Sequence, residues 1–78
     1  MTHKAIRYSR HAAKNLKRRR ISRGNVRWLI ARGIRQEGRT KLGEKRWTVD
    51  GKVANRNLRV VFIERANDIE VVTVMEKW

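Results

Sequence analysis

Apolar residues fall into two regimes along this chain. From Ser9 to Gly33 they recur every three or four positions; from Arg46 to Met75 they alternate or run on continuously. The first spacing is that of helices with one buried stripe, the second that of strands. Ser9 is placed to cap a first helix whose inner stripe is Ala12, Ala13 and Leu16, reaching toward Arg20. Arg10, Lys14, Lys17 and Arg18 occupy its other face. The run Arg18-Arg19-Arg20 ends this helix, where cations suit the negative end of the helix dipole. Ser22 caps a second helix, with Ile21 and Val26 spaced as a hydrophobic staple across that cap. Val26, Leu29 and Ile30 form its buried stripe, Trp28 follows that stripe into the core, and Gly33 ends the helix as a C′ residue.

The second half reads as a meander. Arg46-Trp47-Thr48-Val49 is a strand, Asp50-Gly51 a turn before Lys52-Val53-Ala54, and Asn55-Arg56-Asn57 a second turn. Leu58 to Ile63 and Ile69 to Met75 are strands joined through Arg65-Ala66-Asn67-Asp68. Both are apolar on both sides, which puts them at the centre of a sheet with helices over one face. Ala5 to Tyr8 is a short strand that can pair at an edge. The polar, Gly-containing segment RQEGRTKLGE, residues 35–44, reads as a mobile loop. With no proline, every strand residue keeps its backbone donor. The expected fold is α+β, one domain over residues 1–78, with two N-terminal helices packed on a small antiparallel sheet in the order β-α-α-β-β-β.

Charge changes what such a scaffold is expected to do. The chain has 21 Lys and Arg against 7 Asp and Glu, a formal charge of +14 on 78 residues. Thirteen of the basic residues and one acid, Glu37, lie in residues 1–40. A compact body so charged repels itself, and a polyanion is the partner that offsets the cost. Arg10, Lys14, Lys17, Arg18, Arg19 and Arg20 are the candidate phosphate contacts. Disorder fits poorly, because 40% of the residues are apolar and fall in periodic blocks. There is no cysteine and no run of 18 apolar residues, and the N-terminus has no apolar segment of the signal-peptide kind. A soluble cytoplasmic protein is expected. The apolar side of helix 1 is mostly alanine, too shallow to insert into a membrane.

Candidate chemistry is sparse. There is no phosphate-binding glycine loop, no dinucleotide fingerprint and no metal-ligand spacing, and His3 and His11 are too far apart for a helical pair. No metal or cofactor is expected. His11 stands in the first turn of helix 1 among cations, which together with the helix N-terminus should favour neutral imidazole, able to act as base and then acid. From spacing alone the first reading of His11 is a structural one, a group that caps the helix or hydrogen-bonds to the sheet. Arg59 interrupts an apolar strand and needs a carboxylate, with Glu70 in view, an exposed face, or a bound phosphate. Trp47, beside Arg46, can stack on a base or cover a sheet edge, and Trp78 is a further stacking candidate.

Ser9-x-His11-Ala12, Arg19-Arg20-Ile21-Ser22 with Val26, Leu58-Arg59-Val60-Val61 and Val71-Val72-Thr73-Val74 follow one another in a recognisable order. In these marks the chain resembles a small family of bacterial domains of unknown function related to the RelE/ParE toxin superfamily, over about Ile6 to Met75. Asn25 departs from the pattern, where an acidic residue would complete the cap of helix 2. The resemblance implies a RelE-like fold and a toxin paired with an acidic antitoxin. It also implies metal-independent cleavage of mRNA, by attack of a ribose 2′-OH on the adjacent phosphate. His11 would be the base or acid, Arg59 and Arg46 would hold the phosphate, and Tyr8 would orient the groups. Two other roles are open on the same scaffold: a nucleic-acid-binding protein without catalysis, and a gyrase-directed toxin of the ParE kind.

Overall fold

The computed structural model describes residues 4–38 and 44–77; His3, Trp78 and the middle of the expected 35–44 loop lie outside them. The elements are β1 (Ala5–Tyr8), α1 (Arg10–Arg19), α2 (Arg23–Arg32), β2 (Ile34–Glu37), β3 (Lys45–Val53), β4 (Arg56–Glu64) and β5 (Asp68–Glu76). They form one five-stranded sheet in the order β1-β5-β4-β3-β2 under the two helices. The fold is α+β, as the sequence predicts, but the sheet is mixed and not antiparallel. The helices carry the chain back over the sheet, so β1 pairs parallel to β5 while the other neighbours are antiparallel.

Both serine caps form. Ser9 Oγ accepts from the Ala12 amide at 3.0 Å and donates to the Val72 carbonyl at 2.9 Å, which fixes the start of α1 to β5. Ser22 Oγ accepts from the Asn25 amide at 3.0 Å, and Ile21 and Val26 are both buried. The end of α1 departs from expectation. Arg20 is not on the inner stripe; it sits in the left-handed region at φ 56°, ψ 49°. Ile21 N–H returns to the Leu16 carbonyl at 2.9 Å and Arg20 N–H to that of Lys17 at 3.4 Å, the Schellman pattern without its usual glycine. Gly33 ends α2 at φ −74°, so a left-handed cap is not its role. A Cβ there would overlap the Val49 side chain and lie 2.7 Å from the Leu29 carbonyl oxygen.

Three expectations in the second half are corrected. Residues 34–37 form the edge strand β2, paired from Ile34↔Asp50 to Glu37↔Trp47, where a loop is expected from Arg35 onward. All four are exposed, so no hydrophobic alternation marks the strand. Asp50-Gly51 is not a turn but lies inside β3. Gly51 is there for a close approach: a Cβ would come 2.5 Å from Leu29 Cδ1. The hairpin turn is Ala54-Asn55, with φ 52° and 63°, the two positive values that a two-residue type I′ loop demands. Arg56 and Asn57, read as turn residues, therefore belong to β4.

The core lies on one face of the sheet. Val49, Leu58, Val60, Phe62, Ile69, Val71 and Val74 pack against Ala12, Leu16, Val26, Leu29 and Ile30. Val71 and Val74 both reach this face because a bulge leaves Val72 out of the ladder, between Val61↔Thr73 and Phe62↔Val71. The opposite face, carrying Arg46, Thr48, Asp50, Arg59, Val61, Thr73 and Met75 by strand alternation, has no second layer among the described residues. No described helix is long and apolar enough to cross a membrane.

Candidate nucleic-acid interface

The charges divide between the two layers. Residues 10–32, which hold both helices, carry nine Lys and Arg and no Asp or Glu. Arg10, Lys14, Lys17, Arg18, Arg19 and Arg20 lie on α1 and its cap, and Arg23, Arg27 and Arg32 on α2; all nine are exposed. Among the described residues none of them forms an ion pair. Every acid stands on the sheet or its connections, and all but Glu37 engage cations there. Asp50 holds Arg59 at 2.8 Å and Lys77 at 3.1 Å. Glu64 holds Lys4 and Arg35, each at 3.2 Å. Glu76 holds Arg56 at 2.9 Å. Arg65 gathers Glu44 at 2.8 Å, Glu70 at 3.0 Å and Asp68 at 3.4 Å.

The helices do not gain stability from this arrangement. Neither has an acid in its first turn, and Arg10 and Arg23 occupy the first helical position, where the macrodipole disfavours a cation. Lys17, Arg18 and Arg19 suit the last turn of α1. Of the remaining helical cations, only Arg23 has a side-chain partner among the described residues, the Tyr8 ring.

The expected catalytic residues divide between the two sides of the sheet. Tyr8 faces the helices: its hydroxyl donates to the Arg23 carbonyl at 3.4 Å and the Arg23 guanidinium lies 4.8 Å from its ring centre. Burial raises the phenol pKa, against the pull of Arg23 and Arg27, so the hydroxyl is protonated at neutral pH. His11 is exposed in the first turn of α1, with its Nε2 3.3 Å from Asn15 Nδ2. Arg59 lies on the far face and is paired with Asp50, not with Glu70 as expected; Glu70 belongs to Arg65. The Arg59 hydrogen bond, with help from Lys77, lowers the Asp50 pKa to about 2. Arg46 is on that far face too, half-buried, with an Nε that has no partner among the described residues. Two shallow pockets, of about 260 and 240 Å³, contain none of these four residues.

Of the two tryptophans, the one expected in the core is the more exposed. Trp47 is half-buried against the core, with Lys45 Nζ 5.6 Å from its ring centre. Trp28 is on the surface, 46% exposed. Arg23, Arg27 and Arg32 join the basic face, beyond the residues of α1 to which the sequence reading confines it; the signal that could have found them is the absence of any carboxylate from residues 10 to 32.

Two helices on a mixed sheet, with one strongly basic helical face, define the class of this domain. The chain matches the family described as Domain of unknown function (DUF4258) over residues 8–76 and belongs to it. Comparison with curated proteins and with solved structures gives no significant match.

Proposed function

We propose that this domain binds RNA through the outer face of its helical layer. The observation that supports the reading is the set of nine exposed cations on residues 10–32, unpaired among the described residues, with no carboxylate in that stretch. A phosphate chain crossing that face releases counterions for each charge neutralised. RNA is the polymer that the RelE-like resemblance implies, and two helices on one face of a sheet are in keeping with that architecture. The test is binding of purified protein to labelled RNA across a salt series. If four to six phosphates are engaged, log K falls against log salt with a slope of roughly −3 to −4 for a single strand. Absence of binding at low salt would sink the reading.

A second reading keeps the toxin chemistry, and the Tyr8 and His11 arrangement favours it. Both lie on the helical side, Tyr8 near Arg23 and Arg27 and His11 next to Arg10 in the first turn of α1. His11 would take the proton of a ribose 2′-OH as that oxygen attacks phosphorus. The P–O5′ bond breaks, and the protonated Tyr8 hydroxyl supplies the proton to the leaving oxygen. A helical arginine, rather than Arg46 or Arg59, would neutralise the phosphorane. An acidic antitoxin would cover the same face. Incubation of RNA with the protein in EDTA tests this: 2′,3′-cyclic phosphate ends, lost in His11→Ala, are expected. A salt-sensitive complex with intact RNA leaves the domain as a binder without cleavage.

A further inference from the structure

Single apolar residues on a surface are ordinary, so exposure of Trp28 alone says little. Its setting says more. At 100° per residue, Trp28 points roughly 150° away from the stripe of Val26, Leu29 and Ile30, onto the outward crest of α2. Helical side chains lean back over the preceding turn, toward i−4. For Trp28 that neighbour is Gly24, and the i+3 neighbour is Ala31, so neither of these two positions carries a side chain able to cover the ring. The fold does not require that glycine: a Cβ at Gly24 would meet only Ser22 Oγ, at 3.9 Å.

The ring faces differ as well. Tyr8, Phe62 and Trp47 each carry a cation over the ring, from Arg23, Arg35 and Lys45. Trp28, with Arg27 beside it and Arg32 one turn on, carries none among the described residues. Among the described residues of so basic a chain, this one aromatic face is left open, near the cations that would hold a phosphate backbone. Stacking on such a face suits any base, but a base paired inside a duplex does not present its flat side.

We propose that Trp28 is a stacking platform for an unpaired nucleobase, and that the helical face therefore takes single-stranded in preference to duplex nucleic acid. This rests on the reading of that face as a phosphate-binding surface.

The experiment compares wild type, Trp28→Ala and Trp28→Phe on four probes at one salt concentration. The probes are a single-stranded RNA, a DNA of the same sequence, the RNA duplex and inorganic polyphosphate. Trp28→Ala should weaken binding to the RNA or DNA strand by on the order of tenfold or more, and leave duplex and polyphosphate binding unchanged. Trp28→Phe should retain most of the affinity. Single strands, but not polyphosphate, should quench a fluorescence component that Trp28→Phe lacks. A difference between the RNA and DNA arms identifies which strand is read. Equal losses on all four probes, or no loss on single strands, overturn the stacking role, and the second of these leaves Trp28 to a protein contact. If wild type binds none of the four at low salt, the phosphate-binding reading itself has failed. Gly24→Leu, which covers the ring without changing charge, should reproduce the selective loss in a folded protein.

Discussion

Arg56 and Glu76 form a two-pronged pair across β4 and β5, Nε to Oε2 at 3.2 Å and Nη2 to Oε1 at 2.9 Å. The same guanidinium donates to the Arg20 carbonyl at 2.9 Å and the Arg19 carbonyl at 2.8 Å. One side chain at the start of β4 thus binds the last strand and caps the negative end of α1. Arg56→Ala should lower the melting temperature more than Glu76→Gln, because it also strips two helix-end carbonyls of a donor. Arg56→Lys should recover only part, lacking the planar fork. Thermal melts of the three variants followed by circular dichroism decide this; equal melting temperatures for Arg56→Ala and wild type would show that water replaces the cap without loss.

Acid should loosen the sheet side of the molecule first. The Arg56 hydrogen bond holds the Glu76 carboxyl below its ordinary range, and Arg59 and Lys77 hold Asp50 at about 2. A carboxylate whose folded pKa is depressed contributes fully above its unfolded value and loses that contribution as pH falls through the folded one. Stability should therefore fall from about pH 4.5 down to about pH 2. Asp50→Asn should flatten the lower part of that profile. NMR titration of the Asp50 carboxyl in wild type and Arg59→Met gives the direct check: the midpoint should rise in the variant.

The β3–β4 turn stores removable strain. Ala54 and Asn55 both have positive φ, and alanine has no side-chain hydrogen bond to offset the crowding of its Cβ. Installing an Asn-Gly turn through the paired changes Ala54→Asn and Asn55→Gly should stabilise the fold by about 1 kcal/mol. Urea midpoints measure it. A drop in stability would mean that the greater freedom of glycine in the unfolded chain outweighs the relief.

Gly33 and Gly51 should resist alanine for a different reason. Each leaves room for Leu29, and at Gly33 the obstacle includes a backbone carbonyl that cannot rotate away. Gly33→Ala should cost about 1–3 kcal/mol, and Gly51→Ala less, since only the Leu29 side chain must move. Chemical denaturation orders the two; the reverse order would place the rigid obstacle on β3.

Stability and binding should oppose each other at the helix starts. Asn25→Glu completes a capping box with Ser22, and Arg10→Glu puts an acid at the first position of α1. Each should raise stability by about 0.5 kcal/mol at low salt. Each should also weaken nucleic-acid binding, and Arg10→Glu should reduce the salt slope by about 1 if Arg10 contacts a phosphate. Paired melting and binding measurements on the two variants test the trade.

The fold was legible where local chemistry and burial agree. Ser9 and Ser22 cap helices whose inner stripes stay inside, and Leu58 to Ile63 and Ile69 to Met75 are the central strands. It was illegible where tertiary contact overrides a local signal. Asp50-Gly51 has turn chemistry, yet Leu29 requires that glycine within a strand. Ile34–Glu37 pairs with β3 but buries none of its four residues, so no apolar alternation marks it, and the reach of Arg35 to Glu64 and the Phe62 ring cannot be read from sequence. The basic face was legible as composition. Its boundary was not, because Arg56, Arg59 and Arg65 look no different in sequence from Arg23 and Arg27; only the acids across the sheet separate them. The expected catalytic group was gathered by residue type, and strand alternation, a period of two, then divided Tyr8 from Arg46 and Arg59.

That separation of charge gives the molecule an electric axis running through its thickness. A layer whose acids and bases largely cancel backs a layer of uncompensated cations, so a nearby polyanion exerts a torque as well as a pull. The domain turns while it diffuses, and more of its collisions begin with the helices leading. Its encounter rate should then exceed that of a sphere carrying the same +14 spread evenly, and the advantage should fade as salt shortens the reach of the field.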